Sequence, residues 1–471
     1  MSQSPESSAN DDATITAIAT ARGQAALAIV RTSGPQAIGV VNRCFDGADL
    51  TEADSHTAHV GYLTGANGSD GSRIDEVVAT VFRAPRSATG EDVVEVSCHG
   101  GDVAARLVLE ALLRAGARHA DPGEFTERAF LNGKMDLAQA EAVADLIHAS
   151  SEKAHRAALT HLEGRYSRRL EALREELLDL CAFVELELDF GEEDVEFADR
   201  ERLEQLLDDA EALLTKLLDS YQTGEKLRDG VRVVIGGRPN AGKSTLLNAL
   251  VGRERAITSE APGTTRDEIE AEVEIEGWRF RFIDTAGLRE AAGDIEAEGV
   301  RRAEASIEQA DVLLYVFDLA VGLEDAERDF LAELSDEQSH TVLIGNKRDL
   351  ISNGAAPAED VGGPYVPLSA EKAQREAERL DPLVDRLTEY VAEHLGAQDA
   401  SAVVMNQRHR QHLRTAREAI GRARRALDRG ASGDMLTLDL REALDELGAI
   451  TGEVTNEDVL GQIFSRFCIG K

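Results

Sequence analysis

Cysteine is scarce and scattered: Cys44, Cys98, Cys181 and Cys468 are the four present, and none forms a C-x-x-C pair. That spacing excludes a zinc ribbon or a dithiol redox motif and reads as a reduced protein without disulfides. No apolar run approaches the ~20 residues that cross a bilayer as a helix. Aromatics make up 4% of the chain and tryptophan occurs once. The opening MSQSPESSANDD has neither the apolar core of a secretory leader nor the arginines of a transit peptide. Residues 1–12 therefore read as a disordered tail, and the expected location is the cytoplasm. No G-x-G-x-x-G fingerprint is present, so a bound dinucleotide of the usual kind is not expected.

Positive charge is also in short supply, with 51 Lys and Arg against 88 Asp and Glu and a net charge of −37. Nucleic-acid binders are normally basic, so any RNA contact must use a local patch or a partner. The segments RHRQHLRTAR (Arg408 to Arg417) and GRARRALDR are candidates. A solvated helix face with i,i+4 ion pairs explains them equally well. The acid load, with few aromatics and few lysines, suits a salt-rich cytoplasm in which long-range repulsion is screened.

What is present is clearest at GRPNAGKS, Gly237 to Ser244, which lies between the apolar run VRVVIG and TLLNAL. A strand, a glycine-rich loop and a helix start form the context in which G-x-x-x-x-G-K-[ST] cradles phosphates. Asn240, Ala241 and Gly242 supply the loop, Lys243 reaches the β- and γ-phosphates, Ser244 ligates Mg²⁺, and Thr245 continues the helix. Asp284-Thr285-Ala286-Gly287 follows the run RFRFI, so Asp284 suits an outer-shell place at Mg²⁺ and Gly287 can approach the γ-phosphate. Thr264 and Thr265 lie between these elements, where a magnesium-sensing loop belongs. Asn346-Lys347-Arg348-Asp349 follows TVLIG, and its acid can accept from both N1–H and the exocyclic amine of guanine. Ser369-Ala370-Glu371 fits a loop that supports the base through backbone N–H. The four motifs in this order predict a GTP-hydrolysing domain and disfavour ATP.

The water-orienting Gln that follows this element in Ras-like enzymes is replaced by Leu288. Arg266 and Arg289 are near, but sequence does not aim them as arginine fingers. A monovalent cation between the phosphates can supply the same positive charge, and the side-chain oxygen of Asn240 is a possible ligand.

Hydrophobic periodicity divides the remainder. The runs ITAIAT, ALAIVRT, EVVATVFRA and DVVEVSC read as strands, and VAARLVLEALLRAG as a helix ending at Gly116. Residues 13–133 form an α+β domain. Residues 134–230 are helical, 231–395 are the α/β nucleotide domain, and 396–471 are helical again. The two helical blocks flanking the nucleotide domain are expected to join, making it an insertion.

Beyond the nucleotide motifs stand TGEDVVEV with HGG (Thr89 to Gly101), PGEFTERAFLNGKMDLAQAEAVADLI (Pro122 to Ile147) and the terminal TGEVTNEDVLGQIFSRFCIGK. With these, the chain resembles the MnmE (TrmE) family of tRNA-modification GTPases from about Thr14 to Lys471. The resemblance implies a multidomain α/β protein. It has an N-terminal α+β domain that binds a tetrahydrofolate and mediates homodimerisation, a discontinuous all-α domain, and an inserted Ras-like GTPase domain. It also implies modification of C5 of the wobble uridine of certain tRNAs together with a FAD-dependent partner, MnmG (GidA). A methylene-tetrahydrofolate supplies the carbon, and glycine or ammonium the amine.

By the same resemblance the folate contacts fall on Arg31, Glu95, Lys134 and Lys471. The potassium site falls on Asn240, Ser259, Ala261 and Thr264. Thr265 joins Ser244 at Mg²⁺, and Glu296 orients water in place of the missing Gln. Cys468 lies in FCIGK, where either a functional thiol or a packed one fits, and His99 can touch ligand or cap a glycine turn. Two departures stand out: the segment TARGQAA replaces the family's usual glycine-rich string, and Glu371 ends the base-supporting loop where a basic residue is more usual.

Two other readings compete. A ribosome-assembly GTPase of the Era or Der type shares the cradle and the N-K-x-D box, but this chain has one cradle and no basic G-x-x-G clamp. A folate-binding scaffold without turnover is the other.

Overall fold

A computed structural model describes residues 13–21, 23–65, 72–189, 200–253, 270–284, 305–307, 309–335, 340–351, 365–395, 403–431, 433–455 and 457–470. The chain divides into two compact units, Met1–Ala144 with Asp445–Lys471, and Asp145–Leu444.

The first unit is built on a seven-stranded sheet. Its strands are β1 (Ile15–Ile18), β2 (Leu27–Ser33), β3 (Phe45–Asp46), β4 (Thr57–Thr64), β5 (Arg73–Phe82), β6 (Val93–His99) and β7 (Arg118–His119), in the order β3-β4-β5-β6-β2-β1-β7. All pairings are antiparallel except β1 with β7. Along β5 and β6 buried and half-buried positions alternate, so Val77, Ala79, Val81, Val94 and Val96 share one face. The helix Asp102–Arg114 supplies Ala105, Val108, Ala111 and Leu112 to that core. It stops before Gly116, whose φ of 112° suits glycine. The strands around ITAI, LAIVRTS, EVVATVF and VVEVSC lie where periodicity places them. β3, β4 and β7 add to the strands that periodicity marks: β3 and β7 are two residues long, and TAHVGYLT mixes polar and small residues.

The C-terminal segment returns to this unit. Pro122 bridges Ile469, and Gly470 lies so close to the carbonyl of Ile18 that a Cβ would collide with it. Phe464 and Phe467 pack with Leu137 and Ala140.

In the second unit the expected helical stretches break into shorter helices: Glu152–Leu162, Arg165–Asp189, Arg200–Asp219 and Tyr221–Asp229. Gly164 (φ 74°) makes one break, and Ser151 caps the helix after another by accepting from Ala154 N–H. The sequence pattern does not mark this serine as a boundary, because its neighbours continue the helical periodicity. A six-stranded sheet follows, of β8 (Val231–Gly236), β9 (Glu270–Ile275), β10 (Trp278–Asp284), β11 (Val312–Asp318), β12 (His340–Asn346) and β13 (Tyr365–Pro367). Its order is β13-β12-β11-β8-β10-β9, parallel except for β9 against β10. β8 and β11 are near-continuous apolar runs because helices cover both faces of such a sheet.

Entry to and exit from this α/β module are stitched together. Thr223 Oγ1 donates to Leu395 O at 2.8 Å, Val404 N donates to Ser220 Oγ at 3.0 Å, and Arg228 donates to Met405 O at 2.9 Å. A Cβ at Gly224 would strike the carbonyl of Val404. Beyond the exit, helix Gln407–Asp428 lies against helix Arg200–Asp219, with Arg424 Nε 2.9 Å from Asp208 Oδ1. The helices on either side of the sheet thus meet, and the fold is multidomain α/β with a discontinuous helical part.

Candidate functional site

The phosphate loop runs from the end of β8 into helix Lys243–Arg253. Its shape depends on residues that tolerate unusual backbone. Gly237 has φ 131°, and a Cβ there would overlap the Val316 carbonyl. Gly242 has φ 99° and faces the Asn346 amide, and Asn240 takes φ 63°, a region asparagine enters more readily than most residues. The Lys243 ammonium folds over the loop and donates to the carbonyls of Gly237 and Arg238, both at 2.9 Å. Thr245, in the first turn of the helix, accepts at its carbonyl from Gln374 at 3.3 Å.

β10 lies beside β8 in parallel register, Asp284 opposite Ile235, so both strands end at the same edge of the sheet. The Ser244 hydroxyl donates to Asp284 Oδ2 at 2.7 Å, and Asp284 is 2% exposed. A hydroxyl and a carboxylate converging at the phosphate loop are hard oxygen donors of the kind Mg²⁺ takes, so these residues fit the ion.

β12 and β13 deliver the base-side residues to the same edge. Asn346 is buried, and its amide is a strut. Nδ2 donates to Ala241 O at 2.8 Å, and Oδ1 accepts from Ala370 N at 2.9 Å. It therefore ties the phosphate loop to the Ser369-Ala370-Glu371 segment. Lys347, at φ 63°, pairs with Asp318 at 2.8 Å. Burial pushes Asp318 up, but the Lys347 ammonium and the Ala320 N–H outweigh it and hold the carboxyl below its usual range. Asp349 is exposed, and the Ser369 hydroxyl lowers its pKa, keeping it ionised and able to accept two hydrogen bonds from one ligand edge. Ser369 also caps the short helix Ala370–Ala373, and Glu371 is exposed.

Ser259, Ala261, Thr264, Thr265, Arg266, Thr285, Ala286, Gly287, Leu288, Arg289, Glu296 and Lys471 lie outside the described residues. Among the described residues no group of three or more His, Cys, Asp or Glu is arranged to hold a metal ion.

Sequence reasoning missed Arg238, an unspecified position of the cradle motif. Its guanidinium donates to Gly322 O at 2.6 Å and pairs with Glu324 and with buried Glu327. Its place inside the motif is the one sequence signal that points to it.

In the first unit, Arg31 and Glu95 stand opposite one another on β2 and β6 and form an ion pair at 2.7 Å. The Phe125 ring lies 5.7 Å from the Arg31 guanidinium. A half-buried carboxylate, a guanidinium and an aromatic face suit a flat heterocycle with an amide edge and an acidic tail. Lys134 donates to Pro85 O at 3.0 Å, on the loop leading into β6. His99 is exposed and its Nδ1 lies 2.7 Å from Asp75. Cys468 is exposed, whereas burial pushes the thiols of Cys44, Cys98 and Cys181 up and leaves them inert.

Several residues of the distinctive strings serve the scaffold. Glu124 accepts from Arg118 at 2.5 Å and from Arg128 at 2.8 Å, and Arg128 also reaches Glu91 at 3.1 Å. The PGEFTER and TGED strings are joined by this partly buried network.

The Arg-rich helix Gln407–Asp428 is mostly engaged within its own unit. Arg410 lies 4.4 Å over the Tyr221 ring, Arg414 pairs with Glu418, Arg422 with Asp439, and Arg424 with Asp208. These arginines offset the acidic helices around them.

A family model described as the MnmE helical domain matches residues 137–468, and one described as the GTP-binding protein TrmE N-terminus matches residues 14–134. The tRNA modification GTPase MnmE of Salinibacter ruber is 69% identical over 460 residues, covering 97% of this chain and 99% of that protein. Its counterparts in Cytophaga hutchinsonii and Chlorobium phaeobacteroides are 43% and 46% identical, over 98% and 97% of this chain and 98% and 97% of theirs. With the phosphate cradle, the buried Asn346 strut and this match along nearly the whole chain, the protein belongs to the MnmE family of tRNA modification GTPases.

Proposed function

We propose that this protein is a potassium-activated GTP hydrolase of tRNA modification. With a FAD-dependent partner of the MnmG type, it acts on C5 of the wobble uridine of certain tRNAs. The observation that carries the reading is the convergence of Lys243, the Ser244–Asp284 pair, Asn346 and Asp349 at one edge of a parallel sheet, in a chain alike to MnmE relatives over its length. GTP is the substrate. Mg²⁺ binds at Ser244 with Thr265, and K⁺ near Asn240 with Ser259, Ala261 and Thr264. Glu296 orients the attacking water. When bound, the two cations supply positive charge where it offsets the phosphates.

The Arg31–Glu95 pair beside Phe125, with Lys134 and Lys471, is the proposed tetrahydrofolate site. The working protein is a homodimer in the cytoplasm. Its GTPase domains would associate in the GTP-bound, K⁺-loaded state and separate on hydrolysis, a motion passed to the tRNA-modifying centre shared with the flavin partner. Among the described residues no helix is long and apolar enough to cross a membrane.

The test is steady-state GTP hydrolysis in KCl against NaCl at matched, high ionic strength, with Glu296→Ala alongside. Strong activation by K⁺ that disappears in the variant supports the reading. Equal rates in the two salts remove the potassium site.

A further inference from the structure

Arg238 is held on three sides by the segment after β11. Besides donating to Gly322 O at 2.6 Å and pairing with Glu324, its Nε lies 3.1 Å from Glu327 Oε1. That acid is itself fixed. It is 7% exposed, its Oε1 accepts from the Tyr315 hydroxyl at 2.7 Å, and its Oε2 accepts from Glu324 N at 2.8 Å. The segment begins at Asp318, which holds the Lys347 ammonium of the base box at 2.8 Å. Next to it, Leu319 N donates to Asn346 O at 3.0 Å. Residues 318–327 therefore brace the base side through Lys347 and the phosphate side through Arg238. The carbonyl of Arg238 is also one of the two acceptors of Lys243.

We propose that Arg238 is a positioning residue for guanine-nucleotide binding, acting through Glu327 and Gly322 to fix the phosphate loop before the nucleotide arrives. This rests on reading the edge of the sheet as a GTP site. A loop already in its binding shape loses less entropy on binding. Arginine suits the task because its planar fork meets two carboxylates and a carbonyl at once, which an ammonium cannot match. The brace acts alike on bound substrate and on the transition state, so its loss falls on affinity and KM rather than on kcat.

The experiment uses the full chain and fluorescent GDP and GTP analogues as probes, with steady-state hydrolysis measured on the same preparations. Arg238→Ala weakens binding about tenfold, equal to about 1.4 kcal/mol, and raises KM in step while kcat stays within about twofold. Arg238→Lys, which keeps the charge and guards against misfolding, recovers part of the loss. Glu327→Gln weakens binding similarly, and the double variant Arg238→Ala/Glu327→Gln is little worse than either single one, because both changes break the same brace. Wild-type affinity in Arg238→Ala, additive losses in the double variant, or a fall in kcat at unchanged KM would each overturn the proposal. A wild-type protein that bound neither probe would instead sink the GTP-site reading, and this inference with it.

Discussion

The side-chain amide of Asn346 donates to the carbonyl of Ala241 at 2.8 Å while its oxygen accepts from the backbone of Ala370. One buried residue thus links the phosphate loop to the base-supporting segment. Asn346→Ala leaves the Ala241 carbonyl and the Ala370 N–H without this partner, a cost of about 1–3 kcal/mol for each buried group left unsatisfied. Thermal stability is expected to fall by that amount, and guanine-nucleotide affinity by at least about tenfold. Nucleotide titration and melting curves on the same sample check both.

Asp349 is exposed and kept ionised by Ser369. Asp349→Asn replaces an acceptor-only group by one that also donates, so guanine loses its two-point recognition and xanthine nucleotides gain. Competition of GTP with xanthosine triphosphate for a fluorescent guanine nucleotide reads the change. Unaltered preference for GTP would remove Asp349 from base recognition.

Glu124 gives the first unit an acid limit. Burial raises its pKa, but hydrogen bonds from Arg118, the Asp121 N–H and Arg128 outweigh this and leave the carboxyl below its usual value. A group lowered on folding stabilises fully above its unfolded pKa of about 4.3. That contribution is lost as pH falls through the lower folded value. Glu124→Gln removes this dependence and takes one carboxylate from Arg118 and Arg128, which keep Asp121 and Glu91, costing about 1–3 kcal/mol. Denaturant unfolding between neutral pH and acid, wild type against variant, tests the sign.

Lys153 stands 4.9 Å from the ring centroid of Trp278, the single tryptophan, and its N–H donates to Gly277 O at 3.3 Å. Helix Glu152–Leu162 is thereby fixed to the turn between β9 and β10, the strand that ends at Asp284. Lys153→Ala removes a cation–π contact worth about 0.5–2 kcal/mol and uncovers the indole. Tryptophan emission is expected to shift to the red, with a lower melting temperature.

Glu95→Gln removes the carboxylate that pairs with Arg31 on the neighbouring strand. Tetrahydrofolate binding, measured by equilibrium titration, is expected to drop about tenfold or more, with GTP affinity unchanged because the two sets of residues belong to different units. An unaltered folate affinity would take Glu95 out of that site.

Much of this was legible because local rules carried it. The cradle motif specifies its own backbone, since only glycine takes φ 131° at Gly237 against the Val316 carbonyl. Apolar periodicity marked the long strands and helices. Short elements such as β3 and β7 carry too few residues to show a period, and the break at Ser151 is a capping interaction inside a helical pattern.

The sequence by itself determined the guanine-nucleotide motifs, the family and the order of α/β and helical segments, because each is written in contiguous residues. Tertiary structure alone decided the partners. Asn346, read as a base-side residue, is a buried strut, and Arg238, an unspecified motif position, is clamped by Glu327. Arg128 reaches Glu91 from another part of the chain, and Arg422 and Arg424 of helix Gln407–Asp428 answer acids on neighbouring helices. These pairings join residues up to 216 positions apart, and no local pattern encodes which of 88 acids meets which arginine.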